Sequence, residues 1–209
     1  MNLSLLLTIG LIHLVALASP GPDMALVLRL SPRRRAALGA ALGIATGILV
    51  HSLLSLTGVS LLLQGHPLLF NTVRLAGAGY LGWLGWQSLS AARQTASTAG
   101  PAFEHELPGR GFWTGFSTNL LNPKALVFFI GLLAALVSPE ESWLTRSLLV
   151  LELFVLSLLW FAGLAWWLSS AAMQARLLAW SRPINVLCGL LFCSVSGSML
   201  WVLATPLVG

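Results

Sequence analysis

Six apolar runs, each long enough to cross a bilayer, leave few folds open to this chain. They fall near residues 3–30, 36–63, 68–90, 112–137, 145–169 and 183–205. Short polar punctuation parts them: Ser31-Pro32 with three arginines, Gly65-His66-Pro67, the stretch 93–111, Ser138-Pro139-Glu140-Glu141, and Arg176 to Pro183. A helix needs about 20 mostly apolar residues to cross a hydrocarbon core of roughly 30 Å. These runs are too long and too uniformly apolar for the buried helices of a soluble core, and none shows the period-two alternation of a membrane barrel. Charge points the same way. Only 8% of the 209 residues are charged, against about 25% in soluble domains, and mean hydropathy is +0.88. A surface so poor in charge belongs in lipid. The expected fold is an all-α integral membrane protein with six transmembrane helices.

The first run has an A-x-A look at Ala16 and Ala18, as at a signal-peptide cleavage site. It lacks a positive n-region, and Pro20 follows closely. It is therefore expected to stay as a helix.

The formal net charge of +5 does not point to nucleic acid, because the arginines cluster between apolar runs instead of lining one face. Clustered in that way they are a topology signal. The first, third and fifth connections hold Arg33, Arg34, Arg35, Arg93, Arg110, Arg176 and Arg182; the second and fourth hold Arg146 alone. The odd connections should be cytoplasmic and both termini outside. Cys188 and Cys193 share one apolar run without metal-ligand spacing, and read as packing. The polar stretch 93–111 is the one plausible linker, between three-helix units at 1–92 and 112–209. Its Glu104-His105-Glu106 reads as a solvated loop before a metal site.

The most informative residues interrupt apolar runs. Ser19-Pro20-Gly21-Pro22-Asp23 breaks the first, and Asn119-Leu120-Leu121-Asn122-Pro123-Lys124 the fourth. Proline removes a backbone donor and crowds the preceding turn. Lipid cannot satisfy the groups so freed, so unwound backbone at membrane depth must face protein or a water-filled cavity. Each break also brings a charge, Asp23 or Lys124, and ionisable groups at such depth usually mark a transport path. The breaks take corresponding places in the two halves. Gly77-x-x-Tyr80-x-x-x-x-Gly85 likewise matches Gly189-x-x-Phe192-x-x-x-x-Gly197. Three helices per half makes the repeats inverted, and paired Pro/Gly interruptions are the best pointer to a site in such folds.

Other residues keep two readings open. His51, about 22 Å along the second helix by the 1.5 Å rise, is either a proton relay or a packing group. Glu152 is a proton site or an interfacial carboxylate. Trp83 and Trp160 line a path or pack. Gly39, Gly43 and Gly47 form a stripe that lets two backbones approach, within one bundle or across a homo-oligomer.

The quoted motifs also carry a family resemblance. Ala18-Ser19-Pro20-Gly21-Pro22-Asp23-Met24 resembles the early P-G-P motif of the lysine exporter (LysE/RhtB type) family. Gly77-Ala78-Gly79-Tyr80-Leu81-Gly82-Trp83-Leu84-Gly85 is similar to that family's G-A-x-Y-L-x-x-L-G. The run Gly115-Phe116-Ser117-Thr118-Asn119-Leu120-Leu121-Asn122-Pro123-Lys124-Ala125 is similar to its G-F-x-x-N-x-x-N-P-K. The resemblance implies a secondary transporter of the bacterial cytoplasmic membrane that expels amino acids or close relatives (homoserine, threonine or lysine-like), driven by proton exchange and without a cofactor. On that reading Lys124 and the amides at the half-helix ends hold the substrate carboxylate. Asp23 pairs with its ammonium or takes the coupling proton, and Asn119 and Asn122 satisfy loosened backbone. Pro20 sits about 25 Å along its helix, so the first break is expected nearer the cytoplasm than the midplane.

Two alternatives are weaker. A membrane-embedded enzyme would need a nucleophile elbow or clustered ligands, and Gly115-Phe116-Ser117-Thr118-Asn119 lacks the elbow's last glycine. A metal-ion exporter would need acidic or thiol ligands that the spans scarcely hold. With no phosphate-binding loop in the chain, an ion gradient must drive any accumulation.

Overall fold

The computed structural model describes residues 2–63, 67–93, 110–138 and 140–204. Among them there are eight helices and no strand: α1 Leu3–Ala18, α2 Pro22–Leu30, α3 Arg34–Leu63, α4 Pro67–Arg93, α5 Gly111–Leu120, α6 Pro123–Leu136, α7 Trp143–Trp167 and α8 Ala171–Ala204. Most of the expected linker, including Glu104, His105 and Glu106, lies outside the described residues, as do Gly65, His66 and Pro139.

The first and fourth apolar runs are each two helices. The α1–α2 pair is bent by 59° and the α5–α6 pair by 58°. The prolines start new helices here and do not kink old ones. Pro22 and Pro123 stand at the first turn of α2 and α6, where the missing N–H would lack an intrahelical partner anyway. Asn122 caps α6 by accepting from the Lys124 amide at 3.0 Å.

By length and apolarity, α3 over Arg34–Thr57, α7, and α8 over Ala172–Ala204 qualify as membrane spans, and each bent pair adds one more. Helix α4 falls short of the six expected. Its 27 residues reach about 40 Å, but Asn71, Thr72, Arg74 and four glycines between Gly77 and Gly85 dilute its apolarity.

One expected boundary is corrected. Arg176 to Pro183 is not a connection: it is helical, within α8, and Pro183 lies inside that helix. The chain turns instead at Leu168–Ser170. The 34 residues of α8 reach about 51 Å, longer than a hydrocarbon core, so its first turns have room to run outside it. Ala179, Trp180 and Pro183 are exposed, so the carbonyl that loses its donor to Pro183 is not sealed in the core.

Glycine sets how closely the helices cross. α3 and α5 lie side by side in the same direction, with Ala36 against Gly111, Ala40 against Gly115, and Gly43 against Phe112 and Phe116. A β-carbon on Gly115 would sit 2.7 Å from the Ala40 Cα, and one on Gly43 2.6 Å from the Phe116 amide. The glycine stripe thus serves a contact inside the bundle. α4 crosses α6 at Gly77 and Gly131, and crosses α8 at Gly85 and Gly189. The expected repeat is not matched at this level. Gly197, which the sequence pattern aligns with Gly85, has open space around it.

Both ends of the bundle are tied. At one, the Asn2 amide donates to Glu141 at 2.8 Å and holds that carboxyl below its ordinary range. At the other, the Ser31 hydroxyl donates to the Leu168 carbonyl at 2.7 Å, and the Gln174 amide donates to Ser31 at 3.0 Å. Arg34 stacks over Trp166 at this second end, where α3 and α5 also begin. The core is apolar, with Phe161, Phe192, Leu81, Leu84, Leu132 and Leu153 almost fully buried. Leu11, Leu159, Leu187 and Trp201 turn outward, as lipid-facing positions should.

Replacing Gly115 with leucine should therefore drive a side chain into the Ala40 backbone. We expect a loss of at least 1–3 kcal/mol, the usual cost of overpacking, read as a fall in melting temperature of the purified protein in detergent. Gly163→Ala, at a position with nothing within 4 Å, should leave stability unchanged or slightly raised.

Candidate functional site

The two breaks meet inside the bundle. At the first, the Ser19 amide turns back to the Val15 and Ala16 carbonyls at 3.1 and 3.2 Å and closes α1. Gly21 then leads into α2, whose first turn carries Asp23. At the second, the Leu121 and Asn122 amides fold back onto the end of α5, and α6 opens with Pro123 and Lys124. By the 1.5 Å rise, the 16 residues of α1 place the breaks about 24 Å from the Asn2 end. The 10 residues of α5 place them about 15 Å from the end where Arg110 stands. They lie closer to the arginine-rich end, as the position of Pro20 implies.

Side chains join the breaks directly. The Asn119 amide donates to Asp23 Oδ2 at 2.8 Å, and Lys124 Nζ donates to the Ser19 hydroxyl at 3.0 Å. Each break thus holds a side chain of the other. Asp23 and Lys124 are not paired with each other, and Asp23 Oδ1 is buried with no partner among the described residues. The Asn119 carbonyl, at the frayed end of α5, accepts from His51 Nε2 at 3.1 Å. His51 is buried and stacks on Phe129 with ring centroids 6.1 Å apart.

A cavity of about 60 Å³ opens over this junction, room for about four waters. Ser19, Gly21, Pro22, Asp23, Asn119, Asn122 and Lys124 form its polar floor. The wall is apolar, built from Ile48, Leu84, Phe128, Phe129, Phe161 and Phe192 among others. Pro20 and Pro123 are exposed and outside the lining; they shape the breaks and do not face the cavity. His51 also stands behind the lining, supporting Asn119.

His13 was missed in the sequence. It is 1% exposed, lines the cavity and bonds Ser157 through Nε2 at 2.8 Å. Its signal was an ionisable residue within an apolar run, which the breaks close by overshadowed. Glu152 packs against Gly10 of α1, with Oε2 buried and unpartnered among the described residues. It faces a helix interface and is absent from the cavity lining. Trp83 and Trp160 do not line it either. Cys188 is buried and donates to the Val15 carbonyl at 3.3 Å, and both cysteines are free thiols. Among the described residues no three His, Cys, Asp or Glu side chains gather as a metal site would need.

The Asn119–Asp23 bond should count in stability. Asn119→Leu removes the amide that donates to Asp23 Oδ2, which should cost about 1–3 kcal/mol. Adding Asp23→Leu should recover part of that loss, because no carboxylate is then left unpaired. A double-mutant cycle on thermal unfolding in detergent should give a coupling of about 0.5–3 kcal/mol; strict additivity would mean that the two side chains do not interact.

Comparison with known proteins places this arrangement. The LysE type translocator family model matches residues 14–202, which takes in both breaks. Among individual relatives, a threonine efflux protein of Escherichia coli (strain K12) is 34% identical over 167 residues, covering 78% of this chain and 81% of that protein. A leucine efflux protein of Enterobacter sp. (strain 638) is 32% identical over 181 residues, 83% of this chain and 84% of the relative. An uncharacterized membrane protein of Haemophilus influenzae is 29% identical over 201 residues, 90% of this chain and 92% of its own. No solved structure gives a significant match. With the family model covering nearly the whole chain, the protein belongs to the LysE type translocator family and is a membrane transporter, not an enzyme.

Proposed function

We propose that this translocator exports neutral amino acids across the bacterial inner membrane by exchange for protons, through six membrane crossings arranged as two inverted three-helix repeats. The observation that carries this reading is the cavity floor. It offers a carboxylate and an ammonium that form no direct ion pair with one another, and a zwitterion complements both. Lys124 and Ser19 would take the substrate carboxylate, with the first amides of α2, which have no intrahelical acceptor. Asp23 Oδ1 would take the ammonium. Among the described residues no acidic side chain stands in the apolar wall, which favours an uncharged substrate side chain over a lysine-like one. The efflux relatives named for threonine and leucine fit such a cavity.

Coupling follows from using one carboxylate twice. Asp23 holds either the substrate ammonium or a proton, so a returning proton must displace the amino acid. In one-for-one exchange, each pH unit is worth about 1.36 kcal/mol, and so supports about a tenfold concentration ratio. The membrane potential adds about 2.3 kcal/mol per 100 mV for the charge moved. For the six crossings, α4 would count as a span through its close crossings with α6 and α8 despite its polar content. The arginine-rich end would then face the cytoplasm, with both termini outside.

Transport in inside-out vesicles with an imposed pH gradient and no sodium tests the mechanism. Labelled threonine or leucine should accumulate, a protonophore should abolish the accumulation, and Asp23→Asn should lower it at least a hundredfold while Glu152→Gln stays within a few-fold of wild type. Accumulation that follows sodium and ignores the pH gradient would refute proton exchange. A dead Glu152→Gln beside an active Asp23→Asn would move the coupling site to α7.

Reporter fusions test the topology. Those after Gly65 and after Pro139 should report the outside and those within 96–108 the cytoplasm. A cytoplasmic signal at Gly65 would overturn the inverted arrangement.

A further inference from the structure

The cavity holds one polar group that belongs to neither break. His13 stands on α1, six residues before Ser19 and so about 9 Å below it along the helix, where the wall is otherwise aromatic and aliphatic. Its ring is fixed from several sides. Phe129 and Phe128 lie with centroids 5.6 and 6.5 Å away, and Nε2 is engaged with Ser157 on α7 at 2.8 Å.

That engagement sets the tautomer. The Ser157 hydroxyl has one proton and gives it to the Leu153 carbonyl at 2.6 Å, an oxygen that can only accept. Ser157 therefore meets His13 as an acceptor, and Nε2 must carry the ring proton. In the neutral imidazole the other nitrogen is then a bare lone pair. Nδ1 is buried and has no partner among the described residues.

From this we infer that His13 is a hydroxyl-reading subsite, through which the transporter prefers β-hydroxylated amino acids, of threonine's shape, over aliphatic ones of the same size. The inference rests on the cavity being the amino-acid site proposed above. A substrate measuring about 4 Å from carboxylate to hydroxyl, with a hydrogen bond of about 2.8 Å at each end, spans about 10 Å. That is of the same order as the rise of about 9 Å between the two backbone positions, and both side chains line the cavity. With its carboxylate on Lys124 and Ser19, such a substrate brings its hydroxyl to Nδ1, the acceptor that the fold leaves unfilled. An aliphatic isostere fills the same space but leaves Nδ1 buried and unpaired. Sites built to bond a substrate hydroxyl discriminate strongly against analogues that lack it, for this reason.

Threonine and valine are the discriminating pair, since a methyl replaces a hydroxyl at nearly constant shape. In proteoliposomes of the full chain under an imposed pH gradient, wild type should move threonine at least tenfold more efficiently than valine. His13→Phe should bring the ratio close to one by losing threonine transport while valine transport persists, and persistent valine transport shows that the variant folds. His13→Gln, which keeps a hydrogen-bonding side chain, should retain part of the preference. A wild-type ratio near one overturns the inference. So does a His13→Phe variant in which threonine and valine fall together by the same factor, as they would if His13 carried protons or only packed. If His13→Phe moves neither amino acid, the His13→Gln ratio decides: an unchanged total with no preference overturns the subsite. Failure of wild type to move any amino acid is a separate result, which removes the exporter reading itself.

Discussion

Asn119 sits where three demands of a lipid-embedded chain meet. A helix that ends inside the bundle leaves carbonyls without donors, and hydrocarbon offers none. The carbonyl of Asn119 is one of these, and it is served by the Asn122 amide at 3.0 Å and by His51 at 3.1 Å. Its side-chain amide reaches the opposite break at Asp23. Its Oδ1 lies against Gly47, where a β-carbon would come within 2.6 Å of it. The last glycine of the α3 stripe is therefore the floor on which the break rests. Packing motif and site are continuous here, and a side chain at position 47 would displace both.

The glycine crossings explain why the breaks can be tolerated at all. Without a hydrophobic drive between helices in lipid, close backbone approach supplies much of their cohesion. The contacts of α5 with α3, and of α6 with α4, set both halves of the second broken segment against helices that do not break. The interrupted segments are held between these continuous helices, and their loosened backbone turns inward to protein and cavity.

The site keeps an acid and a base that form no direct ion pair. A buried charge without its complement is costly, and a more stable arrangement would bond Lys124 directly to Asp23. The fold instead gives Lys124 a hydroxyl and Asp23 an amide, so both groups keep capacity for something further. Polar groups left short of partners at membrane depth are characteristic of functional positions. His13 repeats the pattern on the apolar side of the same cavity, with one nitrogen committed to Ser157 and the other free of any described partner.

Much of this was legible in the sequence because lipid imposes rules that act on single segments. The membrane class follows from charge and run length, and the helix breaks from Pro20-Gly21-Pro22 and Asn122-Pro123, since proline and glycine act on their own backbone whatever packs nearby. Asp23 and Lys124 were conspicuous for being charged in apolar surroundings, and the cavity lining includes both. The family was legible too, because its motifs are these same breaks and glycines. The start of the helix that carries the sixth run was not, because Arg176 and Arg182 read as a connection although arginine is a good helix former, and the helix simply begins before the apolar stretch. Which glycines face which helix, that Asn119 bonds Asp23 and Lys124 bonds Ser19, and that His13 faces the cavity while Glu152 does not, depend on how α1, α3, α6 and α7 rotate against one another. Periodicity within one helix carries no such information when nearly every face is apolar. Only the packed bundle decided it, because burial in lipid makes all faces of a helix nearly equivalent until another backbone lies against one of them.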